Sequence, residues 1–78
     1  MLLKDAQIGK TYVVEEIRLP SQLERRLESL GMTKSTAVSI VNRKGKGILI
    51  IKLCGTRFAL GYNITKNIRI KGGSRYES

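Results

Sequence analysis

Histidine and tryptophan are missing from this chain of 78 residues, and cysteine and proline occur once each. Without histidine, the usual general base near neutral pH and the commonest metal ligand are both gone. The single cysteine, Cys54, excludes an internal disulfide. Flanked by Leu53 and Gly55, it reads as a small hydrophobe packed at a strand end. Aromatic residues make up 5% of the chain, too few for the interleaved stacking side chains that nucleic-acid-binding sheets of this size carry. No apolar run approaches the roughly 18 to 20 residues needed to cross a bilayer. Met1-Leu2-Leu3-Lys4-Asp5 contains an early acid and no long apolar core, which argues against a signal peptide and for a cytoplasmic protein.

Acidic residues are scarce too: six, against 15 Lys and Arg, for a net charge of +9. Glu15 and Glu16, adjacent on a strand, are expected to face opposite ways and so could not clasp one substrate. Glu24 and Glu28 share a helix face at i, i+4. Two carboxylates without His or Cys make a weak transition-metal site, and solvated charge accounts for them. Gly45-Lys46-Gly47 lacks the GxxxxGK[ST] spacing and lies between strands, where no helix N-terminus is available to a phosphate. No catalytic residue, metal site or cofactor site is therefore expected.

The charge is unevenly spread. Residues 1–40 hold six bases and five acids, whereas residues 41–78 hold nine bases and one acid, Glu77. Such a field attracts nucleic acid, anionic lipid headgroups or an acidic protein face, and charge alone does not choose among them. Arg43, Lys44, Lys46, Lys52, Arg57, Lys66, Arg69 and Lys71 form either a nucleic-acid patch or a plain solvated surface. For stacking on bases, Tyr62 and Tyr76 are the candidates.

The pattern of what is present predicts a mostly β fold with one short α-helix. Strands are expected over Tyr12 to Ile17, Thr36 to Arg43, Ile48 to Leu53, Arg57 to Gly61 and Ile68 to Lys71. Ile48 to Leu53, apolar on both faces, reads as a central strand covered on each side. Asn42 to Gly47 reads as a hairpin loop with three cations, and Cys54-Gly55-Thr56 as a tight turn. Tyr62 to Asn67 has room for a single helical turn. The helix runs from about Gln22 to Leu30. Ser21 and Glu24 have capping-box spacing, and Leu23, Leu27 and Leu30 make one apolar stripe read as core. Gly31 offers a Schellman-type end. Met32 is either the contact that closes that end or part of an exposed docking spot. Together these elements predict a small, partly open β-barrel of about five strands, with an early helix and a penultimate helical turn. The single domain covers 1–71, and 72–78 reads as a flexible C-terminal tail.

Three segments carry a resemblance that covers nearly the whole chain: Ile8-Gly9-Lys10, Arg26-Leu27-Glu28-Ser29-Leu30-Gly31-Met32, and Phe58-Ala59-Leu60 followed by Ile64 and Ile68-Arg69-Ile70. In order and spacing they resemble the ferrous iron transport protein A family, whose second segment reads RL-x-x-LGM. The family commonly has glycine where this chain has Ser35 and alanine near Thr65. The resemblance implies an SH3-like barrel that is not an enzyme. It implies an accessory protein that binds and modulates the membrane ferrous iron transporter with its GTP-binding domain, peripheral to the inner face of the cell membrane when bound. At family level it also carries an association with transition metal ions. Contact with an anionic membrane surface would give the positive half a use. On this reading the docking surface is Arg25, Arg26, Leu30 and Met32, with Arg43, Lys44 and Lys46 steering association. The alternative is a basic SH3-like nucleic-acid-binding module. Self-association is left open.

Overall fold

A computed structural model describes residues 1–72. Five strands, β1 (Thr11–Ile17), β2 (Ala37–Lys44), β3 (Ile48–Leu53), β4 (Thr56–Leu60) and β5 (Ile68–Gly72), form one antiparallel sheet in the order β4-β3-β2-β1-β5. The sheet curls without closing, so β4 and β5 are its edges. The N-terminus shields β5: Leu2 bridges Arg69, and the Ile70 N–H donates to the Met1 carbonyl at 2.7 Å. A 3₁₀ turn at Leu3–Asp5 follows, which the sequence does not announce. Helix α1 (Ser21–Ser29) joins β1 to β2, and α2 (Tyr62–Thr65) is the expected helical turn between the last two strands.

Alternate residues of each strand face one core that includes Tyr12, Val14, Val38, Ile40, Leu49, Ile51, Leu53, Ile68 and Ile70. β3 therefore departs from expectation. Leu49, Ile51 and Leu53 are buried, but Ile48 is exposed and Ile50 only half-buried, so one face of this strand is covered. The alternation of an antiparallel sheet with a solvated outer side takes precedence over the strand's apolar composition.

The two ends of α1 behave differently. At its start Pro20 is the N-cap, the Glu24 N–H donates to the Pro20 carbonyl at 3.0 Å, and no side chain caps the helix. The Ser21–Glu24 capping box does not form, because Ser21 is already inside the helix. At its end, Gly31 at φ +100° lets its own N–H donate to the Glu28 carbonyl and that of Met32 to the Leu27 carbonyl, both at 2.9 Å. This is the expected Schellman pair, with Met32 folded into the core.

Ser35 and Cys54 are non-glycine residues with positive φ, +74° and +52°. Ser35 lies in the turn two residues before β2, its N–H donating to the Val14 carbonyl at 2.7 Å. A side chain in left-handed backbone costs about 1 kcal/mol. Ser35→Gly should thus stabilise the domain by about 0.5 to 1 kcal/mol, raising the thermal midpoint by a few degrees. Cys54 and Gly55 form the two-residue β3–β4 turn between paired Leu53 and Thr56, and Cys54 is exposed rather than packed. Thr65 is buried, its hydroxyl donating to the Tyr62 carbonyl at 3.4 Å. Of the tail expected over 72–78, Gly72 belongs to β5 opposite Tyr12, and 73–78 lie outside the described residues.

Candidate docking surface

Of the leucines in the α1 stripe, only Leu27 is buried; Leu23 is half-buried, and Leu30 is 40% exposed. Leu30 lies just past the last turn of α1 as its C-cap residue, and is the least covered of the three. Leu30 forms the rim of an apolar dimple whose floor is Leu27, Met32, Ile51, Leu53, Phe58 and Leu60. Its volume, about 10 Å³, is no more than one water would occupy, too small to hold a small-molecule ligand. Arg25 and Arg26 are exposed on the same helix. Met32, at 1% exposure, cannot present itself to a partner: the Schellman turn that positions it also buries it.

The remaining candidates lie elsewhere. Gly31 sits against Leu53 and the Cys54 sulfur, so α1 ends beside the β3–β4 turn. Arg43, Lys44 and Lys46 cluster at the β2–β3 turn, at the opposite end of β3. Six strand residues separate these ends by about 17 Å. The expected hairpin loop is also shorter than Asn42 to Gly47. Asn42, Arg43 and Lys44 pair with Ile50, Leu49 and Ile48, leaving Gly45-Lys46-Gly47 as the turn.

Arg43 has a structural task. Its guanidinium donates to the Lys4 carbonyl at 3.1 Å and to the Ala6 carbonyl at 2.6 Å, tying the N-terminal turn to β2. Arg43→Met keeps the aliphatic stem and loses both bonds, at a cost of about 2 kcal/mol. A lower urea midpoint and faster exchange of the Ala6 amide would report it. Arg43→Lys should not rescue, because one ammonium lacks the planar fork that spans both carbonyls.

The acids also differ from expectation. A bulge between Val14 and Glu16 shifts the strand register, and Glu15, Glu16, Glu24 and Glu28 all line one depression with Thr33 and Lys34. Glu16 is paired with Arg18 at 3.1 Å and lies 3.9 Å from Arg69. Among the described residues, no three His, Cys, Asp or Glu are grouped so as to hold a metal ion. The protein is thus polarised, with an acidic side at α1 and β1 despite its net positive charge.

The sequence profile of the FeoA domain matches residues 1–72. The chain belongs to the FeoA family. That family is associated with ferrous iron transport and is one of accessory proteins rather than known enzymes. No curated protein matches this chain. Among solved structures, the FeoA of Stenotrophomonas maltophilia, complexed with zinc, is 29% identical at a TM-score of 0.76, over 91% of this chain and 89% of that one. It is described as a prokaryotic SH3 domain protein and proposed as a ferrous iron transport activating factor. An iron uptake regulatory protein, also FeoA, superposes at 0.82 with 22% identity over 91% of this chain and 95% of its own. A manganese-dependent transcriptional repressor shares the fold at 0.78 and 20% identity, with 87% of this chain covering 39% of the repressor. The SH3-like architecture expected from the sequence is therefore the one present. No helix among the described residues is long and apolar enough to cross a membrane.

Proposed function

We propose that this FeoA-family chain is a cytoplasmic accessory protein that binds the GTP-binding membrane ferrous iron transporter and modulates it. The observation that carries this reading is Leu30, a large apolar side chain held in solvent by a helix whose end is fixed, over a dimple with nowhere to admit a small molecule. A side chain of that kind is suited to fill a partner's pocket, with Arg25 and Arg26 as its polar rim. Lys44 and Lys46 lie too far away to share that contact, and their part is to speed encounter with an acidic partner.

Support for the nucleic-acid alternative is thin. Tyr12 is in the core and Phe58 is half-buried among core residues, leaving Tyr62 as the exposed aromatic among the described residues. Tyr76, the other stacking candidate, lies outside the described residues, and one ring on the described surface is not a stacking platform.

Co-purification tests the proposal. The tagged chain, mixed with detergent-solubilised transporter at physiological salt, should retain it. A folded chain that retains none would remove the proposal.

A further inference from the structure

The outer face of the sheet at β2, β3 and β4 lies away from the apolar contact around Leu30, and its composition is unusual. Between Glu28 and Glu77 the sequence contains no acid, and all three strands fall in that stretch. Strand pairing arranges their outward side chains in rows. At one end Lys44 lies opposite Ile48; next come Asn42, Ile50 and Ala59; then Ser39, Lys52 and Arg57. Ile48, Ile50 and Ala59 give the patch its aliphatic part, beside Asn42, and cations stand at both ends, about 13 Å apart along β3. Ile48 is 42% exposed, and Lys44, Lys52 and Arg57 are exposed and in none of the described ion pairs.

We propose that this face seats the protein on an anionic lipid bilayer. Lysine and arginine stems can lie along the aliphatic middle while their charged heads reach lipid phosphates. Among the described residues no aromatic side chain stands on this face to stack on a base, which favours a lipid surface over single-stranded nucleic acid. The four clustered glutamates line a depression between α1 and β1, off this patch. Leu30 overlies Ile51, Leu53, Phe58 and Leu60, the inward residues of β3 and β4, so it lies on the opposite side of the strands that carry Lys52 and Arg57. A molecule seated this way keeps its α1 surface free for a partner in the same membrane.

The test is co-sedimentation of the full chain with vesicles of phosphatidylcholine, with or without 30 mol % phosphatidylglycerol (about one lipid in three), near 0.1 M salt. Binding is expected to the anionic vesicles only. Lys52→Gln with Arg57→Gln should lower partitioning about 25-fold, at about fivefold per cation near the surface. Arg18→Gln with Lys34→Gln removes the same net charge from the acidic side and should change it less than about twofold. Equal loss in both double variants would overturn the proposal, since net charge alone would then govern binding. It would equally be overturned if the chain ignored anionic vesicles while binding RNA through Lys52 and Arg57. Co-purification in detergent involves no bilayer, so the transporter reading stands or falls separately.

Discussion

Replacing Gly47 by alanine should destabilise the domain by about 2 to 4 kcal/mol, a large share of what a domain of this size has to lose. Two costs add. Gly47 has φ +89°, where a side chain is strained. A Cβ built there would also lie 2.8 Å from the Cβ of Tyr62 and 3.2 Å from Cδ1 of its ring. The Tyr62 Cβ is fixed to the backbone of α2, so relief requires α2 to move rather than a side chain to rotate. Gly45→Ala is the control: its φ is +55°, and no atom lies within 4 Å of the added methyl. It should cost about 1 kcal/mol. Thermal or urea unfolding distinguishes them, with a drop in midpoint above about 10 °C for Gly47→Ala and of a few degrees for Gly45→Ala. Equal midpoints would show that the contact between the β2–β3 turn and α2 is not held as described.

Leu30→Glu should weaken transporter binding by about 30-fold or more while leaving the fold intact. Leu30 is the helix C-cap in right-handed backbone and half in solvent already, so a glutamate meets no steric obstacle. An acid near a helix C-terminus costs less than about 1 kcal/mol. Met32→Glu, which the sequence suggests as an equivalent test, would mislead. Met32 is 1% exposed, and a buried carboxylate would unfold the domain, removing binding for an unrelated reason. Lys44→Glu with Lys46→Glu should instead slow association and alter its salt dependence with little change in dissociation, because these residues lie at the far end of β3 from Leu30.

What could be read in the sequence was what local chemistry dictates. Gly31 after a leucine-striped segment specified a Schellman end, because only glycine takes that backbone freely. Alternation placed four strands within a residue or so and Ile48–Leu53 outright. The readings that failed depended on tertiary position. Periodicity puts Leu30 on the same stripe as Leu27, but does not show that α1 stops at Ser29 and leaves Leu30 as a half-exposed C-cap. Arg43 looked like a loop cation because its acceptors, Lys4 and Ala6, are nearly forty residues distant in sequence. Strict alternation puts Glu15 and Glu16 on opposite faces, and the bulge between Val14 and Glu16 overturns it. The tight turn read at Cys54-Gly55 is present, but the packed side chain expected of Cys54 is not: direct pairing of Leu53 with Thr56 leaves Cys54 at an exposed turn position. Ser35, where the resemblance leads to an expectation of glycine, has left-handed backbone at φ +74°.

The most direct measurement is a binding titration of purified full-length transporter in detergent with the fluorescently labelled chain, wild type beside Leu30→Glu. Saturable binding by the wild type and a dissociation constant about 30-fold weaker for the variant are expected. Indistinguishable curves for the two folded proteins, or no saturable binding by the wild type, would contradict the account.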